Sequence, residues 1–389
     1  MEGPQSKSGE KNSGTLIAME NTSLFSRSEM DDRLRAVRAE MQALGVDALI
    51  TMNQANIRYC TGFRGEPHTL LLTKAELVLF TSFRTLPWAE QQTQLLQPDL
   101  ELSVASSPLE EIAKRLSNKG TRIGVDTTLS HSHFSNWSSK FTNHQLTPCS
   151  AIEQVRRLKS PAEIELLQQS QTINESIFEA LLPQISPGMT ERAVQGLMLT
   201  EMAQREEVAG YCFAPIVATG GNAWEIHHLP DNTKIQRDTL LLLDLGVFYQ
   251  GYASDMTRTI CLGKATEQMR DVYETVKQAQ GAAISAMRPG ASTREVDQAA
   301  RKIITQAGHG RGFTHGLGHS IGLETHDPGL NLSPSTAEET LLPGMAFTVE
   351  PGIYLENQFG VRTEDVVIIT DEEPVNITKQ PKDFLELHF

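Results

Sequence analysis

The sequence predicts an α+β protein with two folded parts. An alternating α/β domain occupies residues 26–150, and a duplicated helix–helix–sheet domain occupies residues 151–389. Three observations carry this reading. At 389 residues the chain exceeds what one ordinary hydrophobic core supports. Helical and strand-like patterns alternate up to about residue 148. The segment SPGMTERAVQGLMLTEM at 186–202 is echoed by RPGASTREVDQAARKII at 288–304.

Residues 1–25 are polar and rich in Gly, Ser and Asn, which predicts a mobile tail. Their apolar run is too short for a signal sequence or a membrane span. In MDDRLRAVRAEMQALG, Leu34, Val37, Met41 and Leu44 recur at helical steps and make one apolar face, which Gly45 ends. VDALITM then reads as a strand, and TLLLTKAELVLFTSF as a hairpin turning at Lys74–Glu76. LEEIAKRLSNKGTRIGVD reads as helix then strand, and the polar region holding His131, His133 and His144 as loop. Beyond residue 150 a long helical stretch contains Pro161 at a position where a new helix can begin. Each copy of the echo then supplies Pro-Gly, a Thr cap and an amphipathic helix. In each, a helix precedes it. A glycine-rich segment with histidines follows, then strands holding two acids.

With 34 basic and 48 acidic side chains the formal charge is −14, so a phosphate backbone is repelled and nucleic acid is excluded as a partner. No basic run marks an anionic membrane footprint. Cys60, Cys149, Cys212 and Cys261 lie far apart with no CxxC pair, which fits reduced thiols and a cytoplasmic location.

Two acid pairs stand on apolar strands. Asp244 lies inside the run Leu240–Val247, and Asp255 follows on the returning strand. Glu350 and Glu364 repeat the arrangement among Thr348, Val349, Val361, Thr363 and Val366. Burying a lone carboxylate costs several kcal/mol, so each needs a partner. Taken singly, Asp244 also suits an ion pair with Arg362, and Glu364 or Asp365 a solvated edge. Taken together, four carboxylates balance two divalent cations. The stretch THGLGHSIGLETHD holds His315, His319 and His326 between glycines, and His319 can add a neutral nitrogen ligand. Oxygen donors with one imidazole suit Mn²⁺, with Co²⁺, Fe²⁺ or Zn²⁺ able to substitute.

The motifs DLGVFYQGYASDMTRT, THGLGHSIGLETHD, TVEPGIY and GVRTED resemble the signatures of the pita-bread metallopeptidases, which include methionine aminopeptidase, Xaa-Pro aminopeptidase and Xaa-Pro dipeptidase (prolidase). NIRYCTGF at 56–63 resembles the creatinase-type N-terminal domain of that family. The resemblance implies a pseudo-two-fold catalytic domain binding two divalent metals. Asp244 would hold one metal, Asp255 and Glu364 would bridge both, and His319 and Glu350 would hold the other. Glu350 would also move the proton of the attacking water. His227, chosen over His228 because Pro230 lies three residues on, would stand near the scissile bond, with His326 facing the substrate carbonyl. His315 matches a histidine of the proline-specific members, and with Phe213 and Tyr354 would line a pocket for the proline ring. Arg362 and Thr257 would support ligand carboxylates. Asp327 stands where the family more often has Glu, and Trp224 and Glu225 stand where smaller residues are common.

The implied activity is that of an Xaa-Pro aminopeptidase acting on peptides with proline at the second position, in a homodimer or larger homo-oligomer. An Xaa-Pro dipeptidase is the alternative. Creatinase-like chemistry without metals and a non-enzymatic interaction module are remoter readings, because all five ligand types are present.

Overall fold

A computed structural model describes residues 25–66, 68–116 and 120–389. Most of the tail expected over 1–25 lies outside the described residues. The first part comprises α1 (Arg27–Ala43), β1 (Ala48–Thr51), α2 (Gln54–Thr61), β2 (Thr69–Thr73), β3 (Leu77–Thr81), α3 (Leu86–Thr93), β4 (Glu101–Val104), α4 (Pro108–Arg115), β5 (Arg122–Val125), α5 (His131–Lys140) and β6 (Gln145–Pro148). Its strands form one sheet in the order β4-β3-β2-β1-β5-β6. The β2–β3 hairpin turns at Lys74–Glu76, as its sequence predicts.

Both faces of this sheet are covered, so its central strands are apolar throughout. Leu49, Leu70 and Leu72 face α1 through Leu34, Val37 and Met41, while Ala48, Ile50 and Leu71 face Ile112 of α4 and Trp137 of α5. Leu44 departs from the expected apolar face: it caps α1 and is exposed, since the helix has already closed against the sheet. His131 and His133 also depart from expectation, lying on α5 and not in a loop. Ser130 caps that helix by accepting from the His133 N–H.

The second part starts with α6 (Ala151–Arg156) and α7 (Pro161–Leu181). Pro161 opens α7, where the Ser160 and Glu163 side chains form a capping box. There follow α8 (Glu191–Ala203), β7 (Val208–Tyr211), β8 (Ile216–Thr219), β9 (Thr239–Leu245), β10 (Val247–Tyr249), β11 (Tyr252–Ala253), β12 (Met256–Leu262), α9 (Glu267–Ala286) and α10 (Thr293–Gln306). The chain ends with β13 (Gly318–His319), β14 (Asn331–Leu332), β15 (Ala346–Val349), β16 (Gly352–Leu355), β17 (Phe359–Arg362), β18 (Asp365–Ile368), β19 (Val375–Asn376) and β20 (Glu386–Leu387).

The echo in the sequence is a repeat in the structure. Gly188 and Gly290 follow the two prolines at φ +92° and +88°, a left-handed turn that suits glycine. Gly188 N–H donates to Ile235 O at 2.8 Å, and Gly290 N–H to Leu341 O at 3.0 Å. Glu191 N–H donates to Thr233 O and Thr293 N–H to Glu339 O, at 3.1 and 2.9 Å. The caps differ: Thr190 starts α8, but Ser292 starts α10 in place of the expected Thr293, because Glu295 closes a capping box with the serine. Behind the strands, Asn174 of α7 donates to Leu245 O and Gln280 of α9 to Val349 O. These bonds fasten each helix to the strand beside an acid, next to Asp244 in one half and Glu350 in the other.

Candidate metal centre

Each acid is placed by a strand register. Thr257 on β12 pairs with Asp244 on β9, which brings the Asp244 end of one strand beside the Asp255 end of its partner. Val349 on β15 pairs with Asp365 on β18, so Glu350 and Glu364 flank that pair just beyond the strand ends. Glu364 N–H donates to Thr257 O at 3.1 Å, and this joins the two halves. Gln171 of α7 accepts from Asp255 N–H at 3.2 Å. Glu350 N–H donates to Leu317 O and its carboxylate accepts from the Thr348 hydroxyl, at 2.8 and 3.2 Å. Arg258 fixes Glu364 from behind by donating to its main-chain carbonyl at 2.7 Å and to Asp365 at 2.8 Å.

One atom from each of Asp255, His319 and Glu364 falls within 4.8 Å of the others, and all three residues are buried. His319 Nδ1 lies 3.1 Å from Ser320 O, a contact that assigns the ring proton to Nδ1. The Nε2 lone pair then faces Asp255 Oδ2 at 3.7 Å and Glu350 Oε1 at 3.5 Å. Burial, then the neighbouring His326, pushes the His319 pKa down to about 4, so the ring is neutral at ordinary pH. A neutral ring therefore turns a bare nitrogen lone pair, and no N–H, toward two acid side chains. Asp244 Oδ1 is buried with no hydrogen-bond partner among the described residues. Burial, reinforced by the neighbouring acids, raises Asp255 and Glu364 well above the usual carboxylate range. Burial raises Glu350 to about 7, against the opposing charge of Arg362. An orphaned oxygen, an unprotonated imidazole and crowded carboxylates are the donor set a pair of divalent cations fits.

The supporting residues form a chain of directed hydrogen bonds. Arg362 reaches Asp244 Oδ2 at 2.5 Å, Thr257 Oγ1 at 3.0 Å and Tyr354 Oη at 2.9 Å. The Thr257 hydroxyl donates onward to Glu364 at 2.7 Å. The ion pair of Asp244 with Arg362 and its place in the acid cluster are thus both realised, while Glu364 and Asp365 are buried and not solvated edges. His315 Nδ1 lies 2.7 Å from Gly316 O and Nε2 lies 3.0 Å from Tyr354 Oη. Both ring nitrogens are therefore committed within the protein. Tyr354 is buried, and the Phe213 ring lies close against Gly246.

His326 stacks on His319 with ring centroids 3.8 Å apart. His227 is exposed, and its charge lowers the pKa of both His315 and His326, for which burial is the first cause. The neighbouring His228 is buried instead, 2.8 Å from Glu191 and 3.1 Å from Glu225. Glu191, His228 and Asp231 also cluster tightly enough to hold an ion. Glu191, however, already accepts from Thr219 N–H, Asn222, His228 and Asp231 N–H, at 2.8 to 3.2 Å. This is a saturated hydrogen-bond hub that orders the His227 loop. The residues that sequence reasoning missed are Glu191, His228, Arg156, Lys159 and Arg258. For Arg156 and Lys159 the basic run in VRRLKSP was the one local signal.

Residues 165–371 match the model of metallopeptidase family M24, and residues 33–158 match the creatinase/prolidase N-terminal domain. An Xaa-Pro dipeptidase of Pyrococcus furiosus is 32% identical over 92% of this chain and 100% of its own length. The chain belongs to metallopeptidase family M24. Among solved structures, an Xaa-Pro dipeptidase from Bacillus anthracis superposes with a TM-score of 0.86 at 30% identity, covering 92% of this chain and 100% of its own. An X-Pro aminopeptidase from Thermotoga maritima gives 0.81 at 29%, covering 90% and 100%. As an M24 member with a creatinase-type N-terminal domain, the chain is a metal-dependent peptidase, a hydrolase acting on peptides. Among the described residues no helix is long and apolar enough to cross a membrane.

Proposed function

We propose that this protein is an Xaa-Pro dipeptidase, which reverses the order of preference drawn from the sequence, where the aminopeptidase led. The observation behind metal-dependent hydrolysis is the unprotonated His319 Nε2 held against Asp255 and Glu350. Support for dipeptides over longer peptides comes from the relatives in Pyrococcus furiosus and Bacillus anthracis that bear that name. The aminopeptidase remains a second reading because of the likeness to the Thermotoga maritima X-Pro aminopeptidase.

In this reading Asp244, Asp255, His319, Glu350 and Glu364 hold two divalent ions, with Mn²⁺ the best match to four carboxylates and one imidazole. Bound divalent cations supply Lewis acidity, lowering the pKa of a water and polarising the scissile carbonyl. Glu350 holds and releases a proton on its carboxylate, for which a pKa raised to about 7 by burial is well matched. His326 donates toward the carbonyl oxygen, and His227 serves the leaving proline nitrogen. Arg362 and Thr257 keep Asp244 and Glu364 in place. His315 acts through Tyr354. Proline has no N–H once acylated, so the site must select it by ring shape.

A panel of Xaa-Pro and Xaa-Pro-Yaa peptides, incubated with Mn²⁺ and read by mass spectrometry, tests the proposal. Dipeptides are expected to be cut faster. Cleavage confined to longer peptides would establish the aminopeptidase, and a metal-loaded protein that cuts no Xaa-Pro bond would defeat both.

A further inference from the structure

The loop from His319 to Asp327 carries two of the site's histidines, and one atom fastens both ends of it. Ser320 O lies 3.1 Å from His319 Nδ1 and also accepts from Asp327 N–H at 2.9 Å. The rest of the loop is closed by Asp327, whose Oδ1 accepts from Glu324 N–H at 3.2 Å. A Cβ on Gly322 would stand 2.7 Å from the Asp327 carboxylate, so that glycine admits the close approach. His326, one residue before Asp327, takes its main-chain position from this anchor and stacks its ring on His319 at 3.8 Å.

Asp327 is held in turn from outside the loop. Its Oδ1 accepts from Arg156 at 2.6 Å and its Oδ2 from Lys159 at 2.9 Å. Arg156 also reaches Glu324 at 2.8 Å, and Lys159 caps the Arg156 carbonyl at 2.7 Å. All three charged residues are buried. The far side of the Arg156 guanidinium donates to Asn56 Oδ1 at 2.7 Å, and Asn56 belongs to α2 of the N-terminal domain. The Asn56 amide is oriented by donating to Glu153 at 2.7 Å and Asp126 at 3.3 Å. A buried ionic set of this kind adds little net stability over apolar residues of similar volume, but it fixes one geometry. What it fixes here is the pair of histidines beside the acid cluster.

We infer that Asp327 is a positioning residue for His319 and His326, and that Asn56 and Arg156 give the N-terminal domain a direct hold on the catalytic loop. The inference rests on the proposed role of His326 in peptide hydrolysis. It predicts that a change in the first domain, a hundred positions from Arg156, alters turnover without altering the metal ligands.

The test compares Asp327→Asn, Asn56→Ala and Arg64→Ala in the full-length protein. Arg64 bridges the same two domains through Gln250 at 2.7 Å, and among the described residues its hydrogen bonds go to Gln250 and Gln92 and not to the loop. Three readouts are taken: kcat and KM on an Xaa-Pro dipeptide, Mn²⁺ affinity by calorimetry, and hydrogen exchange of residues 318–328 in metal-free protein. Asp327→Asn is expected to lower kcat by about 10–100-fold with KM within about twofold. Asn56→Ala is expected to lower kcat by about 3–10-fold, with faster loop exchange and unchanged Mn²⁺ affinity. Arg64→Ala is expected to leave kcat and exchange as they are. Failure of Asn56→Ala to change loop exchange, or an equal effect from Arg64→Ala, would overturn the inference. Should Asp327→Asn not fold, Asn56→Ala and Arg64→Ala still decide it. Should the wild type cut no dipeptide, the proposed function fails, while the exchange comparison continues to test the loop.

Discussion

The two halves of the catalytic domain share a backbone and differ in what they hang from it. Gly188 and Gly290, Ile235 and Leu341, and Asp244 and Glu350 occupy matching places, as the paired hydrogen bonds and strand registers require. The bridge of Ser320 to Phe347 then matches the pairing of Thr219 with Leu241, so His319 falls where the first half has Ala218. Ala218 is sealed in an apolar cluster with Ala223 and Leu242. The acids are thus repeated and the imidazole is not. The histidine loops differ as well. His227 rides on the Glu191–His228 hub, whereas His326 rides on Asp327 with its two cations. Duplication supplied the strands that bring four carboxylates together, and divergence of the loops made the centre lopsided.

The largest effect expected from breaking this arrangement is at the acids that both halves supply. Glu364→Gln removes a charge at the junction and is expected to reduce both Mn²⁺ affinity and peptide hydrolysis by about a hundredfold or more, beyond the 10–100-fold typical of outer partners. Calorimetry with parallel kinetics checks this, and retained affinity would remove Glu364 from the proposed ligands. Glu191→Gln strikes the hub of the first half. It is expected to cost about 1–3 kcal/mol of stability through unmatched buried donors, with Mn²⁺ affinity unchanged. A loss of affinity there would mean the Glu191 cluster is itself a metal site. His315→Ala is expected to raise KM for proline peptides several-fold through Tyr354, with metal content intact; equal loss of metal would argue against it.

The smallest effect is a dependence on pH in metal-free protein. Glu350 is raised to about 7, so the native state binds more protons than the unfolded state between pH 4.5 and 7, and stability falls as pH rises through that range. His315 and His319 are lowered from 6.5 to about 4 and act in the opposite sense, but only below pH 6.5. Above pH 6.5 the carboxylates act in company with His228, which, against the opposing effect of burial, is raised by its hydrogen bonds to Glu225 and Glu191 and works in the same sense. The metal-free melting temperature is expected to decline by a few degrees from about pH 6.5 to 8, and Mn²⁺ to raise it most at the upper end. A flat metal-free profile would contradict the crowding of acids.

Much of this was legible in the chain itself, for stated reasons. Asp244 on an apolar strand and the twice-repeated Pro-Gly turn are local signals, and they predicted both the acid pairs and the repeat. Ser292 displaced Thr293 as a cap because a glutamate three residues on outweighs the identity of one hydroxyl residue. The helix over His131–Lys140 went unread because its polar, serine-rich surface has almost no apolar period. Arg156 and Lys159 gave no hint of burial, since their carboxylate partner lies 171 and 168 positions away and only the folded chain brings it near. Their role is a property of the contact map and not of any short motif.

One apolar cluster contains Leu49 and Leu70 of the first sheet together with Leu166, Tyr252, Ile321 and Ile368 of the catalytic part. The molecule matches two family models but has no seam between them. A chain cut at the linker would leave each piece of this protein with an oily, unhealed face. In this chain the peptidase half therefore owes part of its dry interior to the domain in front of it.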